Sequence, residues 1–262
     1  MPYFDNEGVK IYYETEGTGP NLFMIHGFAA NIKINWKVTN WIKNLKDENR
    51  LILMDCRGHG KSDKPTDPAQ YGIKMGEDVI KLMDHLSIEK SNFFGYSMGS
   101  RITLNLLIRE PKRINCAILG GFVLPPPSNK QSTLRYKSVI DAFKAESIDQ
   151  VKDLIGREFR RFAESTGADL NALAAVMTSY VHQPEDLFTT SGRIKKILRK
   201  ISVPVMTVVG SDDFLPGDKA LFANLVPRAC HFQIQGRDHL TVVADPKFHM
   251  VVKAFLNFVN RS

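Results

Sequence analysis

Cysteine is scarce in this chain of 262 residues, with three in all: Cys56, Cys116 and Cys230. An odd number at wide spacings builds neither a disulfide framework nor a zinc site, and it suits a reducing compartment. Cys56 and Cys116 lie in or beside apolar runs and read as small core residues. Long hydrophobic runs are missing too, and no stretch approaches the roughly 18 apolar residues of a transmembrane helix. The opening MPYFDNEGVK carries acids and lacks an apolar h-region, unlike a signal peptide. A cytoplasmic protein is expected. Internal repeats, low-complexity tracts, a P-loop, a G-x-G-x-x-G turn and metal-ligand spacings are also absent, so no metal or organic cofactor is expected.

Apolar residues make up 43% and charged residues 24%, enough for a full core in one large α/β domain with an insertion. The formal charge is +7, which raises nucleic acid as a partner. The basic residues are scattered, however. Their densest group, Arg193, Lys195, Lys196, Arg199 and Lys200, has no interleaved aromatics and reads as solvated surface. The expected partner is a small molecule and not nucleic acid, with monomer and homodimer both open.

Two short alternating segments, Pro2–Phe4 and Val9–Glu14, flank the turn Asn6-Glu7-Gly8 and read as a hairpin. Buried-strand signals follow at Asn21–Ile25, Leu51–Asp55, Asn92–Gly95, Asn115–Leu119, Val203–Val209 and Cys230–Ile234. Helical patterns lie between several of them, at Lys37–Leu45, Lys74–Leu86, Ser100–Arg109, Gly217–Leu225 and Lys247–Val259. Such alternation predicts a mostly parallel sheet with helices on both faces. From the Pro125-Pro126-Pro127 boundary to Lys200 there are only helical patterns: Thr133–Phe143, Asp149–Phe162, Asp169–Tyr180 and Pro184–Leu198. This block, 125–200, reads as a helical cap inserted into a core made of 1–124 and 201–262.

Gly95-Tyr96-Ser97-Met98-Gly99 is a G-x-S-x-G segment between a strand and a helix. That setting gives the pattern its meaning. A serine on a sharp strand-to-helix turn stands clear of the backbone, small residues let strand and helix approach, and the helix N-terminus favours developing negative charge. With His26-Gly27-Phe28, the run Asp55-Cys56-Arg57-Gly58-His59-Gly60-Lys61-Ser62 and the loops of Asp213 and His239, the chain resembles the α/β-hydrolase superfamily in its capped, esterase-like branch. The second of these segments is similar to the D-x-R-G-H-G-x-S run of that branch.

A serine hydroxyl needs a base. In this fold the chain order is Ser, acid, His. His26, His59 and His85 precede Ser97, His182 falls in the cap, His231 opens a strand and His249 lies on the last helix. His239, in Gly236-Arg237-Asp238-His239, is left as the base. The acid should follow the strand Val203–Val209, where Asp212 and Asp213 both stand; the family pattern, glycine then two residues then aspartate, selects Asp213. One oxyanion donor should be the Met98 N–H, and by resemblance the second is the Phe28 N–H, with His26 and His59 as structural supports of their loops. Phe28, Met98, Phe122, Leu124, Phe214, Leu215 and Leu240 adjoin these loops. The cap adds Phe143, Phe159, Phe162, Leu173, Val176, Met177 and Phe188. An apolar pocket of this kind suits an uncharged ester of short or medium chain length, cleaved through an acyl-enzyme. Hydrolases of C–C bonds, thioesters, amides and lactones, and perhydrolases, share the machinery. A ligand receptor on the same fold is the reading from outside enzymes. Ser97 speaks against epoxide hydrolases and dehalogenases, whose similar turns carry Asp.

Overall fold

The computed structural model describes residues 2–126, 130–182 and 192–260. The hairpin forms as β1 (Tyr3–Asn6) and β2 (Val9–Glu16). Glu7 and Gly8 at its tip both have positive φ, 55° and 83°, the backbone that a tight two-residue turn requires. Then come β3 (Asn21–Ile25), β4 (Arg50–Met54), β5 (Ser91–Tyr96), β6 (Ile114–Gly120), β7 (Val205–Gly210) and β8 (Ala229–Ile234). They make one eight-stranded sheet in the order β1-β2-β4-β3-β5-β6-β7-β8. The two joints involving β2 are antiparallel and the others parallel.

Each apolar strand feeds two layers, because successive side chains point to opposite faces. Phe23, Ile25, Ile52 and Phe93 face one cluster, with Met75, Val79 and Leu82 of α2 (Ile73–His85) and Ile102 and Leu106 of α3 (Met98–Arg109). Leu22, Met24, Leu53 and Phe94 face the other, with Trp41 of α1 (Trp41–Leu45) and Phe248, Val252 and Leu256 of α9 (Pro246–Asn260). The chain runs from β3 to β4 on one side and returns to place β5 on the other side of β3. In α/β sheets such a reversal marks the place, at the strands' carboxyl ends, where a ligand crevice forms. Ser97 and Phe28 sit in the loops leaving β5 and β3.

Between β6 and β7 the described residues form α4 (Lys130–Lys144), α5 (Leu154–Thr166), α6 (Leu170–Val181) and α7 (Gly192–Leu198), with no strand among them. Asp153 and Asp169 cap α5 and α6, accepting from the N–H of Gly156 and Ala172. These helices have a cluster of their own, Val139, Ile140, Phe143, Ala163, Leu173, Ala174 and Met177, joined by Ala29 and Phe28 from the loop after β3. Val176, Ile194 and Leu198 pack instead into the sheet's first cluster. Pro127 and most of the segment Pro184–Leu198 expected as helix, Phe188 included, lie outside the described residues.

Three helices start four or five residues later than expected. Lys33–Lys37 forms a wide π-turn, and Asn40 takes left-handed φ of 64°, so α1 begins at Trp41 instead of Lys37. Asp153 delays α5 to Leu154 instead of Asp149. Gly217, at φ 132°, cannot start a helix, and its neighbour Asp218 bridges to Leu124; α8 is therefore only Leu221–Leu225. No helix among the described residues is long and apolar enough to cross a membrane.

Candidate active site

The site begins with a strained turn. Ser97, between the last residue of β5 and the first of α3, has φ 51° and ψ −107°, a region costly for a side-chain-bearing residue. Its surroundings hold it there. Ser97 N–H donates to Gly120 O (2.8 Å), and Ser100 Oγ lies 2.8 Å from both Gly95 O and Gly120 O. A Cβ on Gly95 would overlap the Gly99 carbonyl, and one on Gly99 would overlap the Ile25 carbonyl at the end of β3. Both flanking glycines are therefore needed for close packing.

The structure brings Ser97, His239 and Asp213 into one chain of hydrogen bonds. His239 Nε2 lies 2.8 Å from Ser97 Oγ, and His239 Nδ1 lies 2.8 Å from Asp213 Oδ2. Asp213 Oδ1 accepts from Leu215 N–H at 2.9 Å. Both oxygens of this buried carboxylate are thus used, so Nδ1 carries a proton and Nε2 can accept one. Asp212 is exposed and accepts from Ser211 Oγ, away from His239. The loop holding Asp213 docks on the loop holding His239, with Asp212 N–H on Arg237 O (2.9 Å) and Ser211 N–H on Ile234 O (2.9 Å).

Met98 is the first residue of α3, so its N–H has no acceptor within the helix. On the loop after β3, Gly27 N–H donates to Asn35 Oδ1 (2.8 Å) and Ala30 N–H to Gly27 O (3.2 Å), while among the described residues Phe28 N–H donates to nothing. A Cβ on Gly27 would stand 3.5 Å from Ser97 Cβ, which places this loop against the serine. Ala29 follows with φ 57° and is fully buried.

His26 and His59 are buried supports, as expected. Cys56 N–H donates to His26 Nε2 (3.0 Å), so Nδ1 is the protonated nitrogen and donates to Gly27 O (2.8 Å). His59 Nδ1 bonds Arg57 O (3.0 Å). Burial pushes the two rings down to about 4 and about 3, so both are neutral. Arg57 is locked by Asp78 (2.6 and 2.5 Å) and Asp55 by the N–H groups of Ile32 and Lys61.

The apolar residues expected around the serine separate into groups. Phe214 is 48% exposed and its ring lies 5.2 Å from that of His239. Leu240, beside His239 in the chain, is 55% exposed. Leu215 is half-buried and engages Asp213 through its backbone. Phe28 packs on His59, Phe143 and Phe159 with ring centroids 5.8–6.0 Å apart. Met98, Phe122 and Leu124 are buried in the core, where Phe122 packs on Phe222 and Leu124 bridges to Asp218. In the inserted helices Phe143, Leu173, Val176 and Met177 are buried, and Phe159 and Phe162 half-buried. A groove of about 290 Å³ lies between Thr66–Pro68 and α4 and α6, and none of these site residues lines it. No group of three or more potential ligands among the described residues could hold a metal.

Two contributors escaped the sequence reading. Asn35, on the π-turn, takes the Gly27 N–H and so fixes the loop carrying Phe28. Tyr96 sends its hydroxyl to the backbone of His239. The aromatic between Gly95 and Ser97 was visible, but nothing in its spacing pointed to a partner 143 residues away.

Other proteins resemble this chain. A pimeloyl-[acyl-carrier protein] methyl ester esterase of Nitrosospira multiformis is 33% identical over 227 residues, covering 81% of this chain and 84% of that one. A 2-hydroxymuconate semialdehyde hydrolase of Pseudomonas sp. CF600 is 33% identical over 117 residues, 44% of this chain and 40% of that one. The chain thus spans less than half the length of this relative, as it does of several others. The crystal structure of a carboxylesterase from Nitrososphaera gargenis superposes with a TM-score of 0.77 at 23% identity, over 99% of both chains. Residues 20–220, from β3 through the loop of Asp213, match the alpha/beta hydrolase fold. By that match the chain belongs to the α/β-hydrolase family.

Proposed function

We propose that this chain is a serine esterase that cleaves short- to medium-chain carboxylic esters through an acyl-enzyme. The observation that carries the reading is the hydrogen-bonded series Asp213, His239, Ser97 on the strained turn after β5. Ser97 Oγ attacks the ester carbonyl while its proton passes to His239 Nε2, and Asp213 orients the resulting imidazolium and stabilises it. The tetrahedral oxyanion is met by the N–H groups of Phe28 and Met98. Collapse breaks the C–O bond, and the imidazolium protonates the departing alkoxide. Water then gives a proton to Nε2 and attacks the acyl carbon, and a second collapse returns Ser97 and the carboxylic acid.

Residues 125–200 act in this reading as a cap over the crevice, and the ester class draws support from the Nitrosospira relative's name. The three free cysteines fit a reducing, cytoplasmic setting.

An acyl series of p-nitrophenyl esters from C2 to C12 tests the proposal. Each buried methylene adds up to ~0.8 kcal/mol, so kcat/KM should climb by up to about fourfold per methylene and turn down beyond about C8. Tributyrin rates should saturate smoothly through its solubility limit, and Ser97→Ala should abolish turnover in a folded protein. A rate still rising at C12, or Ser97→Ala activity within tenfold of wild type, overturns it. A ring-cleavage dienoate, the substrate type of a C–C bond hydrolase, is the second arm; its faster turnover would move the assignment to that class.

A further inference from the structure

We propose that Tyr96 is a positioning residue that sets the distance between Ser97 and His239, an inference that rests on the catalytic reading above. Tyr96 is the last residue of β5 and is covalently joined to Ser97. Its side chain crosses to the other half of the site, where the buried hydroxyl donates to the backbone carbonyl of His239. A single rigid residue therefore spans the strand that presents the hydroxyl and the loop that presents the imidazole.

The ring's own position is tightly defined. It lies 5.8 Å from the His239 ring and 6.5 Å from Phe248 in the core beneath. Gly121, at φ 58°, closes it in, since a Cβ there would come within 3.0 Å of Tyr96 Cζ and 3.1 Å of His239 Cε1. Tyr96 is also fully enclosed, and burial with the nearby Asp213 and Asp238 holds the phenol far above its ordinary range, so it stays protonated and can only donate to the carbonyl. The loop of His239 otherwise lies at the surface, with Arg237 and Leu240 exposed on either side. Without the phenol, the loop of His239 would lose its hydrogen bond to β5 and be held by the neighbouring loop, through Asp212 N–H on Arg237 O and the Asp213 carboxylate on His239 Nδ1.

The test is Tyr96→Phe, which keeps the ring and removes only the hydroxyl. Its control is Tyr71→Phe: Tyr71 is likewise buried and donates its hydroxyl to a backbone carbonyl, that of Pro65 (2.5 Å), on a different loop. We expect Tyr96→Phe to lower kcat for p-nitrophenyl butyrate by about 10- to 100-fold with KM changed less than threefold, as fits a misplacement of reacting groups. The low-field proton resonance of the His239 Nδ1–H should broaden in the same variant. Tyr71→Phe should lose similar thermal stability and keep kcat within twofold. The proposal fails if Tyr96→Phe turns over within twofold of wild type, or if both variants lose kcat in proportion to their loss of stability. An active Ser97→Ala would instead overturn the underlying assignment, so the two failures are distinct.

Discussion

Replacing Asp213 by Asn removes one charge and adds one donor, and the structure indicates where each change acts. Asp213 Oδ1 accepts from Leu215 N–H and Oδ2 from His239 Nδ1–H. An amide has one acceptor, so only one of those bonds survives. If the oxygen stays with Leu215, the NH₂ group faces Nδ1, the imidazole must carry its proton on Nε2, and it cannot take the proton of Ser97. The flipped amide restores the productive tautomer but sets two donors against each other at Leu215, at about 1–3 kcal/mol for a buried unsatisfied group. The productive form is then a minority by about 5- to 150-fold. Even that form lacks the carboxylate that stabilises the imidazolium, worth about another 2 kcal/mol on the scale of charged hydrogen bonds. The sum is a fall in kcat of ~10²–10⁴, with the upper end near the loss usual for such a substitution. Asp212→Asn changes an exposed side chain that accepts from Ser211 Oγ and should stay within threefold. The assay is p-nitrophenyl butyrate hydrolysis with folding checked by circular dichroism. Asp213→Asn activity within tenfold of wild type, or greater damage from Asp212→Asn, would refute the reasoning.

Two further outcomes follow from the geometry. Gly99→Ala drives a Cβ into the carbonyls of Ile25 and His26, both backbone, so the turn must open; activity should fall more than 100-fold with a marked drop in Tm, and a variant with wild-type kinetics would contradict the packing described. His26 and His59 are neutral when folded down to about 4 and about 3, whereas the unfolded chain protonates them near 6.5. Below pH 6.5 the unfolded state therefore binds more protons. Stability is full above that pH, declines as pH drops toward 3, on the order of 3 kcal/mol per ring, and then levels off. Denaturation curves from pH 7 to 4 should show the decline, and it should be shallower in His59→Asn; equal slopes would contradict it.

Much of the frame was legible because strand identity is a local property. Val205–Gly210 and Asn21–Ile25 are short apolar runs, and a run buried on both faces announces itself regardless of its neighbours. The turn at Ser97 was legible because its two glycines are required by contacts within a few residues and with one adjacent strand. By resemblance the glycine-x-x-aspartate pattern favoured Asp213 over Asp212, and of the two it is Asp213 that is buried against His239. What escaped depends on distant partners. Gly217 reads as a helix start until Asp218 bridges to Leu124. Phe122 and Leu124 adjoin a site loop in sequence, yet packing on Phe222 and the bridge to Asp218 hold them in the interior. Asn35 acts through a π-turn that no periodicity announces.

The loop after β3 belongs to two parts of the molecule at once. Phe28 and Ala29 pack into the hydrophobic cluster of α4–α6, and Thr166 at the end of α5 donates to Ala29 O at 2.7 Å. Ala29 holds a left-handed backbone there at a cost of about 1–2 kcal/mol, which the packing offsets. In the esterase reading proposed above, the inserted helices and the Phe28 N–H offered to the oxyanion are therefore coupled through this strained residue. By linkage, a substrate that binds better with the helices seated also favours the loop geometry around Ser97, and a weak substrate forgoes both. In a hydrolase built this way, selectivity would be expressed in kcat as well as in affinity.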